Sequence, residues 1–313
     1  MEIKISFTRY LSAKKSVDDR ALNLHVWQTL AQSLPASPPG RPLRVLEIGA
    51  GIGTMVERML SWGLFAQADY TAFDHHPDNV AHAHRRLPRW GKEQGYQVSP
   101  VQGGWRFEKE NQSIKARFER VDLFDFLARE HQMGEGQQAW DLLIAHAFLD
   151  LVEIPSTLPS LFELLAPGGL FYFTLNFDGA TLLEPAIDPS FDERVQVLYH
   201  RTMDERVTAG RPSGDSRTGR RLFTHLNAAG AQILAAGSSD WVVFPGADGY
   251  LQDEAYFLHF IVHTLHQALQ GHPELDPARF EKWVAERHAQ VERRELVYIA
   301  HQLDFVGKRP GPA

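Results

Sequence analysis

The sequence predicts an α/β fold: an open, mostly parallel sheet with helices packed on its faces. Three observations carry the prediction. Short apolar runs rich in branched and aromatic side chains recur at Leu43–Ile48, Tyr70–Phe73, Trp140–Ile144 and Leu170–Leu175. Runs of that length suit strands buried on both faces of a parallel sheet. Segments of helical period lie between them, such as Met55, Val56, Met59 and Leu60. The first run passes through a glycine-rich turn into one of those helices, as V-L-E-I-G-A-G-I-G-T over Val45–Thr54.

That turn carries the chemistry. Gly49, Gly51 and Gly53 stand at alternate positions, where a Cβ would keep the backbone away from a bound ligand. The helix start after the turn offers free N–H groups. Strand, glycine turn and helix open a nucleotide-binding βαβ unit. The dinucleotide fingerprint G-x-G-x-x-G places its third glycine one position later than this chain does. The competing reading is a tight turn with no ligand.

The pattern E-x-G-x-G-x-G, with Glu47 two places before the first glycine, resembles motif I of the class I S-adenosylmethionine-dependent methyltransferases. The resemblance covers roughly residues 42–176 and returns at 218–236 and 296–306. It implies a Rossmann-like seven-stranded sheet in the order 3-2-1-4-5-7-6, the last strand antiparallel, with helical cap insertions. It implies S-adenosyl-L-methionine as cofactor and methyl transfer as the reaction. Glu47, a buried carboxylate in need of a partner, would orient the loop or hold the methionine amino group. Gly49, Ala50, Gly51 and Gly53 would cradle the cofactor. Asp74, ending the second strand, would accept from the ribose hydroxyls, with His75 beside it; H-H-P-D-N-V also reads as a helix entry. Asp122 would accept from the adenine amino group while Leu123 packs on the ring, leaving Asp125 to cap the next helix. Ala145 and His146 would meet the methionine side.

The fourth strand exits at His146, where cofactor and acceptor would meet beyond the carboxyl ends of the strands. An imidazole there takes a proton near neutral pH, although it could equally shape the pocket only. The N/D-P-P-Y/F pattern of amino-directed nucleic-acid methyltransferases is absent from this stretch. The A-P-G-G turn before Leu170 reads as an efficient helix-to-strand connection.

Composition bounds the partners. The 313 residues include 43% apolar residues, enough for a sizeable core, and the formal charge of −7 gives no general attraction to nucleic acid or anionic membrane. There are no cysteines, which removes disulfides, thiolate metal sites and a cysteine nucleophile. The N-terminus lacks the apolar core of a signal peptide, and no run approaches a membrane span. A cytoplasmic protein with a small-molecule acceptor is expected; the oligomeric state is left open.

The expected organisation is an N-terminal helical lid over 1–35, a cofactor-binding core over 36–176, a cap insertion over 177–221, core again over 222–240, a helical cap over 241–294, and the last strand and tail over 295–313. In the lid, Ser16 would cap a helix bearing Leu22, Val26, Trp27, Leu30 and Leu34, with Tyr10, Lys14 and Lys15 near the site mouth. Pro35, Pro38, Pro39, Gly40 and Pro42 mark the boundary. A β-hairpin elaboration is expected within 88–116, and a disordered tail from Gly307. The 177–221 insertion offers Tyr199, His200 and Arg206 as acceptor-side residues beside His146. Its loop of Arg211, Ser213, Ser216, Arg217 and Arg220 could hold an anion or simply be solvated. His259, His263 and His266 share a helical face; the reading favoured is a histidine-lined cavity, with no metal. Two alternatives to methyl transfer are a nicotinamide-dependent oxidoreductase and a non-catalytic nucleotide-binding module.

Overall fold

The computed structural model describes residues 5–35, 41–133, 139–208 and 210–309. Pro38, Pro39 and Gly40 of the boundary cluster and the last four residues of the tail lie outside the described residues.

The apolar runs form strands. These are β1 (Leu43–Ile48), β2 (Gln67–Asp74), β3 (Gln97–Val101), β4 (Gly104–Lys109), β5 (Gln112–Arg120), β6 (Trp140–His146), β7 (Leu165–Glu184), β10 (Gln232–Ser238), β11 (Trp241–Val243) and β12 (Val297–Lys308), with a small separate pair, β8 (Val207–Thr208) and β9 (Arg211–Pro212). The main sheet runs β10-β12-β7-β6-β1-β2-β5-β4-β3. Seven consecutive strands of it, β5-β2-β1-β6-β7-β12-β10, have the expected order 3-2-1-4-5-7-6. Only β12 among them runs antiparallel to its neighbours. The expected hairpin, β3 with β4, extends the edge beyond β5.

Side chains alternate across the strands, so each face has its own core. On one face Val45, Tyr70, Ile144 and Tyr172 meet Val26 and Leu30 of α2 (Leu24–Ser33), Met55 and Met59 of α3 (Thr54–Ser61) and Leu87 of α4 (Pro77–Glu93). On the other, Leu46, Ile48, Phe73 and Phe173 meet Phe126 of α5 (Leu123–Met133), Leu158 of α6 (Ile154–Glu163) and Leu222 of α8 (Thr218–Ala228).

A third core builds the cap. β6 leaves β7 at Thr174, yet β7 continues to Glu184 and β12 stays paired with it from Lys308↔Leu170 to Val297↔Glu184. That extension projects roughly 30 Å at about 3.3 Å per residue. Phe177, Leu183, Tyr298 and Ala300 on it pack against Leu198 of α7 (Pro189–Asp204), Phe257 of α9 (Glu254–Leu269) and Trp283 of α10 (Pro277–Glu292). The strand therefore runs through the boundary expected at residue 176. Among the described residues no helix is long and apolar enough to cross a membrane.

The N-terminal reading needs correction. The first helix, α1 (Phe7–Ala21), starts ten residues earlier than a Ser16 cap would place it, and Ser6 caps it by accepting from the Arg9 N–H. Ser16 lies mid-helix, buried, with its hydroxyl 2.7 Å from Glu254 Oε1 of α9. The apolar stripe from Val26 onward belongs to α2, capped by Asn23, whose side chain accepts from the Val26 N–H. Capping ahead of α5 falls to Asp122, which accepts from the Phe124 N–H at 2.8 Å; Asp125 sits in the helix's first turn.

The cap closes on one buried ion pair. Arg287 of α10, fully buried, donates to Asp192 Oδ1 of α7 at 2.7 Å and to the Pro185 carbonyl at 2.8 Å. Arg287→Ala removes the only counter-charge of buried Asp192 among the described residues and leaves it the Trp283, Ile187 and Asp188 N–H groups, so it should cost about 3 kcal/mol. The check is the urea midpoint; a change under about 0.5 kcal/mol would contradict this account of the cap.

Candidate active site

The carboxyl ends of β1, β2, β5 and β6 open onto a cleft of about 590 Å³ lined by Gly49, Phe73, Asp74, His75, Val121, Asp122, Leu123 and Phe148. Its far wall carries Glu153, Arg206, Thr208, Arg211 and Ser213. This is the ligand position of an open α/β sheet.

The glycine turn is tied to the second strand by one contact. Asp74 Oδ2 accepts from the Gly51 N–H at 2.9 Å, and Oδ1 accepts from the His76 N–H and Asn79 Nδ2. Asp74 thus braces the turn and the start of α4 together, and a lone pair on Oδ2 remains for a ligand hydroxyl. The glycines have separate reasons. A Cβ on Gly49 would stand 2.2 Å from Phe148 Cδ2, so the edge of the ring comes up against the bare backbone. A Cβ on Gly53 would stand 2.7 Å from Leu87 Cδ1; this glycine serves helix packing. Leu11 of α1 reaches over Gly51, at 3.3 Å from where a Cβ would stand.

The expected cofactor residues divide. Gly49, Asp74, His75, Asp122 and Leu123 line the cleft. Asp122 caps α5 with Oδ1 and is exposed. Ala50 is buried, donating its N–H to the Phe73 carbonyl, and Ala145 is fully buried inside the sheet. Glu47 lies beneath the turn, buried, and accepts from the Tyr70 hydroxyl at 2.7 Å. Burial pushes its carboxyl up to about 8, so it is largely protonated at neutral pH.

Of the residues expected on the acceptor side, only Arg206 lines the cleft. Its Nη2 donates to the Asp150 carbonyl at 2.7 Å and its Nε to the Ser213 carbonyl. His146 is held on both ring nitrogens: Nδ1 lies 2.8 Å from Thr174 Oγ1, and Nε2 lies 3.1 Å from both Asp18 Oδ2 and Arg58 Nη1. Burial, then the Arg58 charge, pushes its imidazole down to about 4, so the ring is neutral and structural in this arrangement. Tyr199 packs in the cap core, its phenol pushed up to about 12 by burial. His200 contacts Thr181 Oγ1 at 3.1 Å. In the basic loop, Arg211 and Ser213 line the cleft, whereas Arg220 pairs with Asp178 at 2.8 Å.

The histidine-rich face of α9 meets α10. His259 contacts His288 at 2.8 Å and Glu292 at 3.0 Å, and His266 contacts Glu281 at 2.8 Å. These two histidines join helices, which corrects the reading of the face as a cavity lining. Among the described residues no group of three or more His, Cys, Asp or Glu is placed to hold a metal ion.

Sequence reading missed two residues. Phe148, covering Gly49, gave no motif. Asp150, the acid of H-A-F-L-D, stands in a one-turn 3-10 helix, Leu149–Leu151, just past β6. Its Oδ1 is buried and has no hydrogen-bond partner among the described residues. The only sequence signal was an acidic residue just beyond a strand's carboxyl end.

No family model and no curated protein matches this chain. Among solved structures, the chain is similar to a SAM-dependent methyltransferase from Thiobacillus denitrificans in complex with S-adenosyl-L-homocysteine, at 15% identity over 97% of this chain and 99% of that one, with a TM-score of 0.45. It is similar to a SAM-dependent methyltransferase from Methanosarcina mazei, at 12% identity over 93% and 99%, TM-score 0.46. It is also similar to the [4+2]-cyclase SpnF, at 14% identity over 98% and 95%, TM-score 0.42.

Glu47 makes the site's pH dependence testable. Its carboxyl titrates near 8 when folded against 4.5 for a free side chain. Between those values the folded protein keeps a proton that the unfolded chain has released, so this group lowers stability as pH rises. The slope is up to about 1.4 kcal/mol per pH unit. Glu47→Gln keeps an acceptor for Tyr70 and removes the charge. Urea midpoints from pH 5 to 8 should show the variant gaining on wild type as pH rises; parallel curves would refute the assignment.

Proposed function

We propose that this chain binds S-adenosylmethionine in the cleft and transfers its methyl group to a small acceptor admitted beneath the cap. The observation that carries the reading is the joining of the glycine turn to the second strand through Asp74 and the Gly51 N–H, with Asp122 and Leu123 on the same cleft. The bound cofactor supplies a methyl group already activated by its sulfonium. The chain's own part is to bind, align and exclude water. Leu123 offers a buried apolar surface to the adenine, and Asp122 an exposed carboxylate to its amino group. Asp74 and His75 stand at the ribose position. Phe148 and Leu11 cover the turn, where the methionine portion would lie, so entry of the ligand displaces at least the Phe148 ring. The cap helices and α1 close the carboxyl edge of the sheet, which favours a small acceptor. The glycine spacing weighs against a nicotinamide dinucleotide, because Gly53 packs on Leu87.

Calorimetry tests the reading. S-adenosylhomocysteine and S-adenosylmethionine should bind at micromolar levels, on the order of 8 kcal/mol, and NAD should not. Gly51→Val should abolish binding, because the branched side chain meets Leu11 and the residue has a left-handed φ of +55°. Tight NAD binding, or no binding of either sulfur ligand to folded protein, would overturn the proposal.

A further inference from the structure

Among the described residues, Asp150 is a carboxylate near the cleft with a buried oxygen, Oδ1, that no donor meets; a backbone N–H and the charges of Arg206 and Lys14 act on the group without filling that place. Glu47 has Tyr70, Asp74 has three N–H donors, and Asp18 has Lys14, His146 and Trp241. Asp150 Oδ1 is buried without a donor among the described residues. Keeping such an atom is costly unless something else binds it.

Its position is informative. Phe148, two residues before it, covers the glycine turn, and Leu151, directly after it, lines the cleft. Arg206 takes the Asp150 carbonyl, not the carboxylate oxygen. The charged and titratable groups acting on Asp150 are Arg206 beyond α7, Lys14 and Tyr10 of α1, and Tyr199 of α7. Lys14 is already paired with Asp18 at 2.6 Å. The carboxylate thus sits just behind the stretch of cleft wall formed by Phe148 and Leu151, where groups from α1, from α7 and from the segment after α7 act on it.

We propose that Asp150 is the catalytic carboxylate of the acceptor side, taking a hydrogen bond and then a proton from an N–H or O–H acceptor. This deepens the methyl-transfer reading and rests on it. The acceptor class is an amine or hydroxyl compound, not a carboxylate, which Asp150 would repel. The acceptor's lone pair forms the bond to the methyl carbon, the carbon–sulfur pair stays with sulfur, and the acceptor proton passes to Asp150. The carboxyl then returns it to water. Burial holds this carboxyl above the ordinary range, which makes it a stronger base than a surface aspartate.

The test uses two cofactor analogues and no acceptor. S-adenosylhomocysteine carries a neutral thioether at the reacting position; sinefungin carries an amine in place of the transferable methyl. Wild type at pH 8 should prefer sinefungin by about tenfold or more, as expected of a charge-assisted hydrogen bond. That preference should fall as the pH is lowered and Asp150 takes up a proton, sooner than a surface aspartate would, because burial raises this carboxyl. Asp150→Asn should lose the preference and its pH dependence, keep S-adenosylhomocysteine affinity within about twofold, and melt no lower than wild type, since it sheds a buried charge. The wild-type pH series needs no variant. An unchanged preference in Asp150→Asn, or a flat wild-type series, would overturn the role of Asp150 while leaving cofactor binding intact. Failure of wild type to bind either analogue would instead overturn the methyl-transfer reading beneath it.

Discussion

The carboxylate of Asp18 receives Trp241 Nε1 on one oxygen at 3.0 Å. On the other it meets Lys14 at 2.6 Å, His146 at 3.1 Å and Arg58 at 3.4 Å. Those partners come from α1, β6, α3 and β11. Every one of these side chains is at least nine-tenths buried. Charges taken out of water each cost several kcal/mol and are tolerated only when the set is complete. The node therefore behaves as a unit. It seats the N-terminal helix over the glycine turn and fixes His146 at the end of its strand. The residues just past His146 inherit that position. Ala147 adopts a left-handed φ of +50° with its N–H held by the Thr174 carbonyl at 2.8 Å, and the chain then turns through Phe148 to Asp150.

The sheet order was legible because each core strand announced itself as a short apolar run, and because the resemblance supplied the order. Turns were legible where glycine marked them. Helix starts were less so. Ser16 with acidic residues after it looks like a cap, but capping depends on whether the backbone before it is already helical. Here Ser6 had begun the helix, and burial against Glu254 gave Ser16 another use. Asp122 and Asp125 posed the same ambiguity. The two lie three apart, and only the local backbone decides which carboxylate faces the free N–H groups. The length of β7 was hidden too, since its extension is paired by residues more than a hundred positions later.

The site was half legible for a related reason. Residues on the glycine turn and strand ends fall near the cleft because local sequence places them there. Residues assigned by type alone were scattered by tertiary packing. His146 looked like a base because histidine titrates near neutrality, but Asp18 and Arg58 from distant helices convert it into a strut. Asp150 fits no motif, and the charges that act on it, Lys14 of α1 and Arg206 beyond α7, come from segments far away in sequence. A side chain's role at such a position depends on the partners it is left without, and sequence does not display those.

The cap and the cleft are mechanically one object. β7 and β12 continue from the sheet into the cap through register shifts at Leu303/Phe305 and Ala300/Gln302, and the cap helices pack on that extension. The sheet and the helices packed on its extension therefore share one pair of strands, with no loop between them. Over the turn itself lie smaller pieces: the Phe148 ring at Gly49, and the Leu11 side chain of α1 at Gly51. Asp18 anchors α1 from below. A ligand entering the turn has to shift the Phe148 ring, and can do so without dismantling the buried charges. The ring and the charge node are thus separate devices, one at the mouth of the turn and one beneath the N-terminal helix.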